Sequence, residues 1–275
     1  MPTSLKIYPY KMASKSSKAL GRALDSRRIK VENSSYRYNP NDLIINWGNS
    51  QIPNWYTERA GTHTLNSIDS VRRASNKLRT NDAFLRKGIS TPQLTRSNED
   101  ANRMLEEGKI VLGRDLIQGS GGRGITVYHP NENERVGEHK YYTCYIKKKR
   151  EFRIHLGYNI INPDFNRSYP TTIFIQEKKR RSSETRNEEN YNSYVRNYTN
   201  EWIFAHNDLD PLPYGMVELA QQSLAALGLH FGAVDIIYNA HQDRSYVLEV
   251  NTACGMEGET LTRYTNYFNQ FLQGE

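Results

Sequence analysis

The sequence predicts an α/β chain of the α+β kind, with a short N-terminal α/β subdomain followed by two subdomains that mix helices with largely antiparallel strands. Three observations predict this. Strand-like and helix-like patterns alternate over the first part of the chain, a glycine run is flanked by extended segments, and the last quarter reads as helix, strand, turn, strand, helix. At 275 residues the chain can bury a sizeable core, as one large domain or two to three small ones.

In chain order, Leu5 to Tyr10 has strand character, Ser16 to Leu24 helical character, and Asp42 to Trp47 reads as a second strand ending at Gly48. From Asp69 to Lys87, Val71, Ala74, Leu78, Phe84 and Leu85 predict one helix, stopped by Gly88 and followed by a strand from Ile89. Glu99 to Glu107 predicts a helix closed by Gly108, and Lys109 to Arg114 a strand. The run Gly119-Ser-Gly-Gly-Arg-Gly124 separates that strand from another at Ile125 to Tyr128. Tyr141 to Ile146, Glu151 to Leu156 and Thr172 to Gln176 are further β-rich stretches, so this region should be mainly antiparallel sheet. Between Glu177 and Asn200 the chain is polar, charged and Asn-rich, which predicts a mobile loop or an exposed helix. A helix over 213–227, strands over 231–238 and 246–251, and a closing helix after Glu259 complete the chain. This order divides into subdomains at 1–65, 66–132 and 133–275.

Composition narrows the setting. Cys144 and Cys254 are far apart and fit neither a disulfide framework nor a zinc site, so a reducing, cytoplasmic setting is the simpler reading. No stretch approaches the roughly 20 apolar residues of a membrane span, and the N-terminus lacks the pattern of a secretory leader; a soluble protein without a membrane partner is expected. The net charge of +7 favours anionic partners such as nucleotides, nucleic acids or acidic peptides. The basic runs Lys147 to Arg150 and Lys178 to Arg181 read either as solvated strand ends or as a phosphate or substrate surface.

Gly119, Gly121 and Gly124 match a G-x-G-x-x-G pattern, but a strand follows it where a dinucleotide fingerprint requires a helix. The loop, with Gly122 inside it, therefore reads as a phosphate-covering hairpin or as a plain glycine hairpin. The protein-kinase His-Arg-Asp and Asp-Phe-Gly motifs are absent, and so is a Walker A sequence. Asp235 in Ala-Val-Asp-Ile-Ile and Glu249 and Asn251 in Val-Leu-Glu-Val-Asn can converge if the two strands form a hairpin, since Glu249 and Asn251 share a face at period two. Carboxylate and amide oxygens suit magnesium held against a triphosphate, and apolar neighbours make unpartnered acids there costly.

These segments, Val234-Asp235-Ile-Ile and Leu248-Glu249-Val-Asn251-Thr-Ala-Cys254-Gly255, resemble the magnesium-binding end of the ATP-grasp superfamily of carboxylate-amine ligases. Asn76-Lys77-Leu-Arg79 through Lys87-Gly-Ile-Ser-Thr-Pro92 is similar to the start of the grasp domain in ribosomal-protein glutamate ligases, and the resemblance spans roughly residues 70 to 270. It implies an ATP-grasp fold whose two α+β subdomains clasp the nucleotide, with ATP and two magnesium ions as cofactors. By the same resemblance, Lys77 and Arg114 bind phosphates, Thr143 to Ile146 (Tyr145 and Ile146 included) offer backbone groups to adenine, and Glu151 lies near the ribose. The resemblance further implies Arg153 as the catalytic arginine facing the transferred phosphate, Lys178 and Asn207 as further contacts, and Asp235, Glu249 and Asn251 as the metal ligands. Departures from the family pattern are Arg114 for lysine, Thr143-Cys144 where an acid is common, Cys254 for proline, and a short leading domain.

The expected activity is formation of an amide-type bond between a small-molecule or peptide carboxylate and an amine through an acyl phosphate. Two alternatives stand beside it: a small-molecule kinase on the same scaffold, and a basic nucleic-acid-binding protein with a degenerate site. The resemblance is compatible with a homo-oligomer, although no segment marks an interface.

Overall fold

The computed structural model describes residues 2–118, 124–132, 135–159, 169–182, 194, 196 and 198–273. The chain opens with β1 (Ser4–Pro9), α1 (Lys15–Ala23), β2 (Arg27–Arg28), β3 (Asp42–Trp47), α2 (Glu58–Thr62) and β4 (Thr64–Leu65), whose strands pair in parallel in the order β2-β1-β3-β4. Ile7, Tyr8, Ile44, Ile45 and Trp47 are all buried, so both faces of this sheet are covered, as a parallel sheet requires.

Two helices follow, α3 (Ile68–Ser75) and α4 (Lys77–Arg86), where the apolar pattern predicts one. Asn76 is extended between them, and its side-chain oxygen accepts from the N–H groups of Leu78 and Arg79, capping α4. The strand expected from Ile89 begins only at Leu94, as β5 (Leu94–Thr95). It is followed by α5 (Asn98–Glu106), β6 (Val111–Arg114), β7 (Ile125–Tyr128) and β8 (Tyr141–Cys144). Strands β5-β8-β6-β7 form an antiparallel sheet with α5 packed on it. In this arrangement β8 hydrogen-bonds with strands that precede residue 132.

The remaining elements are β9 (Arg150–Gly157), β10 (Thr171–Arg180), β11 (Trp202–Ala205), α6 (Met216–Ala226), β12 (Phe231–Asn239), β13 (Arg244–Asn251) and α7 (Glu259–Gln273). They build a five-stranded antiparallel sheet, β11-β10-β9-β12-β13. β10 continues past Gln176: Glu177 to Arg180 pair with β11, so the segment expected as loop or helix begins as strand. Residues 183–193, 195 and 197 of that segment lie outside the described residues.

One face of the five-stranded sheet carries Phe152, Ile154, Leu156, Val234, Ile236, Val247 and Val250 against Met216, Ala220 and Leu224 of α6, with Val71 and Phe84 from α3 and α4. Each fully buried large side chain here contributes about 1.5–3 kcal/mol. A second core joins the N-terminal sheet to α1 and α7, where the Trp47 ring stacks on Phe231 at 5.7 Å. Gly157 is required at this seam, since a Cβ would lie 2.4 Å from the Tyr267 ring. Among the described residues no helix is long and apolar enough to cross a membrane.

Candidate active site

Period two along the strands puts a different set of residues on the other face of the five-stranded sheet. Arg153, Asp235 and Glu249 are register neighbours across β9, β12 and β13, and Phe204, Lys178 and Glu151 are neighbours across β11, β10 and β9. A bulge in β13 follows directly after the Asp235–Glu249 pair. Asp235 pairs with Glu249 but Ile236 with Val247, so Leu248 is extra; Val247 turns into the core while Leu248, Glu249 and Asn251 line a cavity on the opposite face.

Two carboxylates directly opposite each other repel. Here each has its own cation. Arg153 donates to both oxygens of Asp235 at 2.7 and 2.8 Å, and Lys77, the first residue of α4, reaches Glu249 at 2.6 Å. The Asn251 amide bridges the two acids, 3.3 Å from each. Burial favours the neutral form of Asp235, but the Arg153 guanidinium outweighs it and holds the carboxyl below its usual range. Burial likewise works against the charge on Arg153, and Asp235 outweighs it and keeps the guanidinium more firmly protonated than usual. Glu151, 2% exposed, is bracketed by Lys178 at 2.5 Å and Lys148 at 3.1 Å. Burial lowers the pKa of Lys148 despite this partner.

The cavity above this face measures about 490 Å³, within the range of small-molecule and cofactor pockets. Its far wall comes from the small sheet. Arg114 lies at the end of β6, its Nε donating to the Thr143 hydroxyl at 3.0 Å, and Thr143, Cys144, Tyr145 and Ile146 form one edge. The N–H groups of Cys144 and Tyr145 are already committed, to the carbonyls of Gln93 and Ile110. Beyond Arg114 the β6–β7 pairing is extended by the Asp115 N–H, which donates to the carbonyl of Gly124, whose φ of +65° suits glycine. Gly119, Gly121 and Gly122 lie outside the described residues.

Lys77, Arg114, Tyr145, Ile146, Glu151, Arg153, Lys178, Asp235, Glu249 and Asn251 therefore all line one cavity. Asn207, expected as a further contact, does not: it is exposed beyond the end of β11 and outside the lining. The basic runs point partly inward. Lys148 and Lys178 line the cavity, Arg150 pairs with Glu177 at 2.7 Å, and Lys147 and Lys149 are exposed. Sequence reasoning did not single out Lys148, Arg196 or Phe204; strand alternation inside the first run was the available signal for Lys148, and the other two had none.

Cys254 has a histidine neighbour that the sequence did not suggest. His155 Nδ1 lies 3.8 Å from its sulfur, with Tyr264 at 3.1 Å from the same nitrogen and Gln176 Oε1 at 2.9 Å from Nε2. Burial pushes the thiol up and holds His155 down at about 4, so the pair is neutral and no thiolate forms.

No family model and no curated protein matches this sequence. Solved structures do match. D-alanyl-alanine synthetase A from Vibrio cholerae is similar over 100% of this chain and 98% of its own, at 12% identity and a TM-score of 0.61. The ATP-grasp ligase PsnB, complexed with a minimal precursor, Mg and ADP, is similar over 100% and 98%, at 10% identity and a TM-score of 0.67. A RiPP-associated ATP-grasp ligase from Chryseobacterium gregarium, in complex with ADP and a leader and core peptide, is similar over 96% and 95%, at 14% identity and a TM-score of 0.59. The chain has the ATP-grasp fold.

Proposed function

We propose that this protein is an ATP-dependent carboxylate-amine ligase whose reaction runs through an acyl phosphate. The observation that carries the reading is the convergence of Asp235, Glu249 and Asn251 under a cavity whose described walls hold six cations against three carboxylates. The cations are Lys77, Arg114, Lys148, Arg153, Lys178 and Arg196; the acids are Glu151, Asp235 and Glu249. That surplus of positive charge in a half-enclosed space suits a polyanion such as a triphosphate. The similarity to a D-alanyl-alanine synthetase and to two ATP-grasp ligases, one in complex with ADP and a leader and core peptide and one with a minimal precursor, Mg and ADP, supports it.

The oxygen donors of Asp235, Glu249 and Asn251 fit magnesium in kind, and two ions there would neutralise phosphate charge and polarise the transferred group. Asp235, Glu249 and Asn251 would hold the metal, with Glu249, flanked by Asp235 and Lys77, as the central ligand. Lys77 and Arg114, from opposite walls, hold the phosphates. Backbone donation to the adenine falls at or after Ile146, because the preceding two N–H groups are used. Glu151 accepts from the ribose, with Lys178 and Lys148 fixing its carboxylate. Arg153 stabilises charge on the phosphoryl and acyl oxygens while the amine attacks the acyl phosphate, releasing phosphate and leaving an amide. The acid is carried by a small molecule or a peptide, and no protein nucleophile takes part.

Turnover of ATP by the purified protein with magnesium, against pooled amino acids and peptides, tests this. Substrate-stimulated ADP with an equal amount of free phosphate is the expected result. ADP with the phosphate retained on the acceptor would replace the ligase by a kinase.

A further inference from the structure

We infer that Phe204 is a positioning residue: its ring face holds Arg153 and Lys178 in place while their carboxylate partners engage other ligands. The inference rests on the nucleotide-binding reading above. Phe204 sits on the edge strand β11, half-buried, opposite Lys178 in the β10–β11 register, and lines the cavity. The Arg153 guanidinium lies 4.4 Å and the Lys178 ammonium 5.3 Å from its ring centroid, both within reach of a cation–π attraction. One ring thus serves the two cations whose remaining described partners are Asp235 and Glu151.

Both of those carboxylates have a second task, Asp235 toward metal and Glu151 toward ribose. When they take it up, their hold on Arg153 and Lys178 weakens. A ring face differs from a carboxylate in two respects that matter here. It attracts a cation without cancelling its charge, so the cavity keeps its pull on an anion. It also accepts no hydrogen bond from the guanidinium, so the N–H groups, two of which now go to Asp235, are left to turn to phosphate. The same device recurs two residues earlier on β11, where Trp202 carries Arg196, another cavity cation, at 4.2 Å from its ring centroid. An aliphatic side chain of similar bulk would fill the space without this attraction.

Calorimetric titration of ADP, with and without magnesium, into the wild-type chain, Phe204→Leu and Phe204→Tyr tests the assignment, with the melting temperature of each recorded. The expected result is affinity for ADP with magnesium weakened about fivefold or more in Phe204→Leu, but within about twofold of wild type in Phe204→Tyr. A purely structural role would show as a shared loss of melting temperature without this split. A smaller loss in Phe204→Leu, or an equal loss in Phe204→Tyr, overturns the inference while leaving the nucleotide reading standing. Absence of ADP binding by the wild type overturns that reading itself. Should Phe204→Leu fail to fold, Phe204→Met takes its place under the same criteria.

Discussion

The two faces of the five-stranded sheet are made by alternate residues of the same strands, yet they share almost no chemistry. On β9, Phe152, Ile154 and Leu156 are fully buried in an apolar core, while the interleaved Glu151, Arg153 and His155 carry ion pairs and hydrogen bonds. The apolar face needs only close packing to be stable. The charged face balances like charges at close quarters, Asp235 opposite Glu249, by borrowing Lys77 from a helix and Arg153 from the next strand. A surface that spends buried charge in this way is organised for a ligand more than for stability, since buried ion pairs contribute little net stability.

Changes confined to one face should therefore separate folding from function. The largest effect is expected from Phe152→Ala: a loss of about 3–5 kcal/mol in denaturant unfolding, with nucleotide binding by the remaining folded protein unchanged. Glu249→Gln should do the reverse, lowering ATP turnover at least about 100-fold while the unfolding midpoint barely moves. A Glu249→Gln protein with normal turnover would break the assignment of that face.

Acid reports on two histidines, His155 on the charged face and His230 just before β12, whose Nδ1 accepts from the Asn66 N–H. Burial holds both His155 and His230 at about 4 in the folded state, against about 6.5 when unfolded. Each is neutral when folded and takes up a proton on unfolding, so stability is full above about 6.5 and falls as pH drops toward 4. His155→Gln should remove about 3 kcal/mol of that fall, read from unfolding midpoints across this range. The smallest effect belongs to neither face: Arg263→Ala, breaking the exposed pair with Glu259 on α7, should cost no more than about 0.5 kcal/mol.

How much of this was legible depended on distance along the chain. The hairpin of β12 and β13, separated by a short turn, could be read from period two alone, and with it the meeting of Asp235, Glu249 and Asn251. Its bulge at Leu248 could not, because nothing in Val-Leu-Glu-Val marks which residue is extra. Asn76 hid its break for a related reason: the apolar spacing continues in phase from Val71 through Phe84, and only the cap geometry reveals two helices. The cation partners were the hardest to foresee. Lys77 is 172 residues from Glu249 and Arg153 82 from Asp235, so their pairing follows from how α4 packs on the sheet and from strand order, neither of which a local pattern encodes.

The central claim is that the charged face activates a carboxylate by phosphorylation. Supplying the purified protein with ATP, magnesium, and a pool of amino acids and peptides labelled with ¹⁸O in their carboxylates tests it directly. The account predicts that the released phosphate carries one ¹⁸O from the acid, because the acyl phosphate passes its bridging oxygen to phosphate when the amine attacks. Release of ADP with unlabelled phosphate would contradict it.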